Sequence, residues 1–321
     1  MQRIVRLEKD YRWTMKRPGT RAVLPEGGAV KHAAAKIPSP GCRHRPLWLF
    51  ATLWSLRRYP SSSREWTWAH KFAAVRKAGF IGVFSPPNPA LAERGTLRYL
   101  AGSSLDAAAK VSPTLRAAKK LGAMAIDIQL GSYSTSLPDA LTLVRKIRDT
   151  ALDLALPFAI ETHRGTFTET PEATLALSMA FQRATGERLP LCLDHSHFAV
   201  VRHLVPGTFW ARLRHPLELS ANAEQFHLRP FNGHHCQIPV LNQRGRRAPE
   251  YQDWLADYAV GLFSYLSAQR TATPLLVVAE MGHAEPAYGL SCFGDTWRDV
   301  QQLAVDLRRQ WRVAGGMAAA H

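Results

Sequence analysis

Four residues in the C-terminal half of the chain, each closing a short segment, could hold a divalent metal ion. They are Glu161 after Phe158-Ala159-Ile160, Asp194 after Leu191-Cys192-Leu193, His227 after Phe226, and Glu280 after Val277-Val278-Ala279. Three carboxylates and one imidazole form an oxygen-rich donor set suited to a hard or borderline ion: Mn²⁺ foremost, with Mg²⁺, Co²⁺ or Zn²⁺ as alternatives. The intervals between them are 33, 33 and 53 residues. A (β/α)₈ barrel spends roughly 30 residues on each strand–helix unit and carries its active-site residues at the C-terminal ends of its strands. Two intervals match one unit each. The third matches one unit plus an insertion, which the stretch from Gly233 to Glu250 supplies.

The elements that must position these residues follow from pattern. Nearly continuous apolar runs before Glu161, Asp194 and Glu280 read as parallel strands buried on both faces. Side chains two apart on a strand share a face, so Ala159 points with Glu161, Cys192 with Asp194 and Val278 with Glu280. That places small or apolar side chains inside a barrel, beneath a polar mouth. Leu47 to Leu56 reads as the first strand, Gly82 to Phe84 as the second, Leu97 to Ala101 as a weak third and Ala123 to Leu130 as the fourth. Ser61 to Ser63 is expected to cap a helix with Trp68, Phe72 and Val75 on one face, ended by Gly79. Ala140, Leu143, Val144, Ile147, Ala151 and Leu154 recur at helical spacing, as do Val300, Leu303, Ala304, Leu307 and Trp311. Thr170-Pro171 opens the helix after Glu161. Pro86 to Pro113 carries no clear pattern. Alternating strands and helices predict an α/β fold, a (β/α)₈ TIM barrel over 47–312, with a C-terminal tail at 313–321.

Composition sets the frame around that barrel. The chain has 321 residues, 46% hydrophobic, enough for one sizeable core. Its net charge is +16, and residues 1–47 hold 11 Lys/Arg against 3 Asp/Glu, half of the excess. Residues 1–46 are therefore expected to be a flexible basic extension without a catalytic part, or sequence upstream of the true start. Cys42, Cys192, Cys236 and Cys292 form no C-x-x-C pair, which argues against a disulfide framework or structural zinc and suits a cytoplasmic protein. Leu47 to Leu56 lies too far from Met1 for a signal peptide and is too short to span a bilayer.

Ile160-Glu161-Thr162-His163-Arg164-Gly165, Asp194-His195-Ser196-His197, Phe226-His227-Leu228-Arg229 and Ala279-Glu280-Met281-Gly282 resemble the xylose isomerase-like TIM-barrel superfamily, nearest its sugar phosphate isomerase/epimerase branch. The resemblance implies that Glu161, Asp194, His227 and Glu280 bind one divalent metal and that His197 contacts a substrate hydroxyl. It further implies that Glu161 and Glu280 exchange protons with a substrate carbon. The chemistry would be proton abstraction beside a carbonyl through a metal-stabilised enediolate. Arg229, on the strand face of His227, is placed to anchor a substrate carboxylate, phosphate or hydroxyl pair.

The chain departs from that pattern after the histidine. Sugar epimerases of this kind carry an acidic residue and a short Arg-Gly loop there, whereas this chain runs Pro230-Phe231-Asn232-Gly233-His234-His235-Cys236-Gln237-Ile238-Pro239. His234, His235 and Gln237, with His163 and Arg164 after Glu161, are candidate pocket residues. The expected activity is a metal-dependent sugar isomerase or epimerase acting on a small sugar or polyol, in a barrel that could form a homo-oligomer. Alternatives are a keto-sugar lyase or dehydratase using the same site, an apurinic endonuclease-like DNA repair enzyme, and a non-catalytic sugar-binding barrel. A nucleic-acid partner is disfavoured, because the barrel offers only one strand-end histidine as a ligand and the basic arm lies outside it.

Overall fold

A computed structural model describes residues 45–269, 271, 273–282 and 292–315, together with the backbone of 317–318. Eight parallel strands close on themselves: β1 (Pro46–Thr52), β2 (Gly82–Ser85), β3 (Arg98–Leu105), β4 (Ala125–Leu130), β5 (Phe158–Glu161), β6 (Leu191–Leu193), β7 (Ala223–Leu228) and β8 (Leu275–Ala279). Each pairs with the next, and β1 pairs with both β8 and β2, so no edge is left within the barrel. A short β9 (Met317–Ala318) adds to β1 from within the segment expected as a tail. The expected basic extension lies outside the described residues apart from Arg45 and Pro46, the latter opening β1.

The helices wrap the barrel in the expected alternation: α1 (Trp68–Lys77), α2 (Ala108–Lys120), α3 (Leu137–Asp153), α4 (Pro171–Thr185), α5 (His195–Val201), α6 (Phe209–Leu213), α7 (Leu217–Ala221), α8 (Pro249–Trp254), α9 (Val260–Ala268) and α10 (Thr296–Val313). A π-helical turn, Leu255–Ala259, joins α8 to α9. Local chemistry explains the boundaries. Ser136 and Thr170 cap α3 and α4 by accepting the backbone N–H groups of Asp139 and Ala173, and α4 ends at left-handed Gly186.

Several boundaries differ from the sequence reading. The β1 strand stops at Thr52, and Leu53–Leu56 turns as a 3-10 helix capped by the Thr52 hydroxyl. Thr67, not Ser61 to Ser63, caps α1. The strand expected at Leu97 to Ala101 runs on to Leu105, and α2 follows it within and beyond the unpatterned stretch. Local pattern does not mark that helix, because Ala107 gives it no side-chain cap and Pro113 lies inside it.

Two apolar cores hold the barrel. The larger lies between strands and helices. The smaller fills the barrel itself, where Phe50, Leu100, Ala125 and Val278 pack together with Trp48, Phe84 and Leu276 against them. One side-chain layer farther toward the C-terminal ends stand Asp127, two residues beyond Ala125, and Glu280, two beyond Val278. The apolar plug is thus the floor of a polar chamber.

The Gly233 to Glu250 insertion is tied down rather than loose. Asp299 on α10 accepts the backbone N–H groups of Val240 (3.3 Å) and Leu241 (2.9 Å). Arg247 makes a two-pronged contact with buried Asp306, at 2.8 and 2.5 Å, which also accepts the Tyr251 hydroxyl.

Gly102 on β3 decides how the chamber floor packs. A Cβ there would stand 2.4 Å from the Phe84 ring, whose edge-on contact with His227 has a centroid separation of 4.7 Å. Gly102→Ala must therefore displace Phe84, and overpacking of this kind costs about 1–3 kcal/mol. A lower thermal unfolding midpoint is expected, and an unchanged one would show that the ring shifts freely.

Candidate metal centre

The strand ends that carry the candidate residues are stitched to one another. The Thr162 hydroxyl, just past β5, accepts the backbone N–H of Asp194 (2.9 Å) and donates to its carbonyl (3.2 Å), fixing the end of β5 against that of β6. The Glu280 N–H donates to the Leu228 carbonyl (3.2 Å), fixing β8 against β7. Gln237 clamps the chain beyond Glu280, its amide donating to the Gly282 carbonyl (3.1 Å) and accepting the Gly282 N–H (2.6 Å).

His227 is the centre of the chamber. Its Nδ1 lies 2.9 Å from Glu280 Oε2 and 3.2 Å from Glu161 Oε1, and its Nε2 lies 3.4 Å from Asp127 Oδ2. All four residues are at most 7% exposed. Although these distances are short, neither ring nitrogen makes a directed hydrogen bond, and Glu280 Oε2 and both Asp127 oxygens are likewise without one. Glu161, His227 and Glu280 bring one ligand atom each to within 4.8 Å of one another, and so do Asp127, Cys192 and His227. Buried donor atoms that converge without satisfying each other fit a divalent cation, and the two oxygens and one nitrogen of the first group match a hard or borderline ion. Glu161, His227 and Glu280 would hold it.

The electrostatics follow from the crowding. Burial alone would lower the His227 pKa, but Cys192, Glu161, Glu280 and Asp127 around it push it well above the usual histidine value. Burial opposes ionisation of Glu161, yet His227 wins and holds it down at about 2. Glu280 is also lowered, by Arg229 and His227 against burial. Asp127 moves the other way, raised well above the carboxylate range by burial and then by neighbouring Glu161.

Asp194 stands in a different relation. Its Oδ2 takes a charge-assisted hydrogen bond from Arg229 Nη2 and lies 3.3 Å from His197 Nε2, while Oδ1 accepts the Ser196 N–H (2.9 Å) and so caps α5. Arg229 Nη1 reaches 3.5 Å from Glu280 Oε1. The guanidinium therefore lies between Asp194 and Glu280, and the structure gathers three of the four expected ligands while giving the fourth to Arg229 and His197. Arg229 and His197 hold Asp194 ionised, well below the ordinary aspartate pKa, against the effect of burial.

The other candidate residues divide by depth. His163, half-buried, packs on His197 with ring centroids 4.3 Å apart. Arg164 is exposed and contacts Cys236 Sγ at 2.9 Å, linking the β5 loop to the loop after β7. His234 and His235 are exposed, and the turn that carries them is closed by Asn232 Oδ1 accepting both of their N–H groups. Gln237 is buried, with both ends of its amide engaged by Gly282.

Asp127 and Phe84 line the chamber and were not singled out from the sequence. Asp127 had the same signal as Glu161, an acid in an apolar strand, Ala125-Ile126-Asp127-Ile128, but it sits mid-strand rather than at the end. No described helix is long and apolar enough to cross a membrane.

No family model and no curated protein sequence matches the chain. Solved structures do. A structure of L-ribulose 3-epimerase superposes with a TM-score of 0.58 and 16% identity over 85% of this chain and 96% of that one. The shared fold is the (β/α)₈ TIM barrel. A D-tagatose 3-epimerase-like protein gives a TM-score of 0.55 and 11% identity over 84% and 98% of the two chains. The probable 3-DHS dehydratase AsbF of Bacillus anthracis gives 0.52 and 13% over 81% and 98%. At these identities the likeness is one of fold, and a shared fold does not by itself transfer an activity.

The Arg229–Asp194 pair yields a direct expectation. Removing one partner of a buried ion pair leaves an uncompensated charge and costs about 3–5 kcal/mol. Arg229→Ala should lose stability on that scale in urea unfolding, and Arg229→Ala/Asp194→Ala should recover much of it. A single variant as stable as the wild type would show that Asp194 is compensated elsewhere.

Proposed function

We propose that the chain is a divalent-metal-dependent isomerase or epimerase of a small sugar or sugar derivative, with Glu161 and Glu280 as its acid/base residues. The observation that carries this reading is the placement of two buried carboxylates, from β5 and from the residue after β8, against one imidazole nitrogen. Inverting a carbon beside a carbonyl requires a proton to leave one face and return to the other, and two carboxylates from separate strands suit that demand. A bound divalent ion would supply Lewis acidity to the substrate's carbonyl and hydroxyl oxygens.

The chain's own residues supply the rest. Both glutamates are lowered in pKa and hence ionised at neutral pH, so either can accept the first proton. Arg229 and His197, joined to Asp194 at one side of the chamber, would bind and orient substrate oxygens. His163, packed on His197, extends that wall toward the mouth. The apolar floor formed by Phe50, Leu100, Ala125 and Val278 excludes water from below.

A dehydratase or lyase is the second reading, favoured by the fold likeness to a probable dehydratase. It begins with the same proton abstraction and differs in the leaving group that follows. With ketoses screened as substrates, product analysis separates a stereoisomer from an unsaturated product.

The test of the acid/base assignment is Glu280→Gln. It should lower turnover and solvent-deuterium incorporation at the substrate carbon by roughly 10²–10⁴-fold while leaving the fold intact. Full activity in that variant would remove Glu280 from the chemistry.

A further inference from the structure

The two nitrogens of His227 face different groups, and that asymmetry has a consequence for Asp127. Phe84 covers the ring edge-on, and the ring is buried between β4, β5 and β8. Nδ1 is turned toward Glu161 and Glu280, and Nε2 toward Asp127 Oδ2 at 3.4 Å. A neutral imidazole carries its proton on one nitrogen and its lone pair on the other. An ion held with Glu161 and Glu280 needs the lone pair on Nδ1, so the proton must reside on Nε2.

We infer that Asp127 is a positioning residue that accepts the Nε2 proton of His227 and so sets the tautomer and aim of the ligand nitrogen. Asp127 is 1% exposed, and neither of its oxygens makes a directed hydrogen bond, Glu161 being its other close neighbour. An aspartate buried in this way, on the strand that faces the ring, requires a partner of this kind. Carboxylates that hold the far nitrogen of a metal-bound histidine raise its basicity as a ligand, and their loss costs about 10–100-fold in metal affinity. Cys192, also within ligand distance of Asp127 and His227, is on this reading a neighbour and not a ligand.

The inference rests on the metal-centre reading, and the experiment separates the two. Co²⁺ is titrated into the full-length wild type and into Asp127→Ala, Asp127→Asn and Cys192→Ser, with affinity read by calorimetry and coordination by the visible spectrum. The expected result is one Co²⁺ per wild-type chain and an affinity lower by about 10–100-fold in Asp127→Ala, with an altered spectrum. Asp127→Asn should fall between them, because its carboxamide oxygen still accepts the Nε2 proton, and Cys192→Ser should match the wild type. Equal affinity and spectrum in the wild type and Asp127→Ala would overturn the inference. So would Asp127→Asn binding as weakly as Asp127→Ala, which would make the effect one of charge alone. A second Co²⁺ equivalent, or a sulfur-to-cobalt absorption lost in Cys192→Ser, would make Asp127 and Cys192 ligands themselves and overturn it too. If Asp127→Ala does not fold, the nearly isosteric Asp127→Leu, which accepts no hydrogen bond, takes its place: wild-type affinity and spectrum would overturn the inference, and a loss of about 10–100-fold supports it. A wild type that takes up no Co²⁺ would overturn the metal reading from which the inference starts.

Discussion

The burial of several acids around one imidazole is the constraint on which the rest of this structure depends. Asp127, Glu161 and Glu280 each approach His227 in a buried chamber, with the Cys192 thiol beside them. Isolated charges in such a place would be expensive, and protonation or pairing is the usual escape. Both responses are present. Burial and Glu161 push Asp127 toward its neutral form, while His227 is drawn toward its charged form by the acids that surround it. A cation held between Glu161, His227 and Glu280 would relieve the same crowding more fully.

The surrounding architecture keeps that cluster from relaxing in other ways. Thr162 locks the β5 and β6 ends together, Gln237 fixes the chain after Glu280, and Asp299 and Asp306 anchor the long insertion to the outer helix α10. Arg229 pairs directly with Asp194 at one side of the chamber. The chamber therefore has two sides, one where donor atoms converge on His227 and one where Arg229 and His197 engage Asp194. The apolar plug beneath both, made possible by Gly102, leaves the C-terminal mouth as the direction of approach.

Much of this arrangement was legible in the sequence, and for definable reasons. Glu161, Asp194 and Glu280 each end an apolar run at barrel spacing, so both their strands and their placement at the mouth could be read from residue type and interval. The ion pair of Asp194 with Arg229 could not, because a guanidinium two residues past His227 reaches across strands in a way that spacing does not encode. Asp127 was hidden by lying mid-strand, and α2 by an internal proline and an uncapped start. The exposure of His235 and the inward clamp of Gln237 depend on how the loop after β7 folds, which is set by Asn232 and by distant α10 rather than by local pattern.

The likeness to sugar epimerases and to a dehydratase is one of fold, and the donor atoms around His227 carry the functional account. Its most direct test is the number of divalent ions retained per chain by the wild type and by His227→Ala after exchange against a mixture of Mn²⁺, Mg²⁺, Co²⁺ and Zn²⁺, read by elemental mass spectrometry. The account predicts about one ion per wild-type chain and its loss in a folded His227→Ala protein. No ion in the wild type, or one that survives the removal of His227, would contradict it.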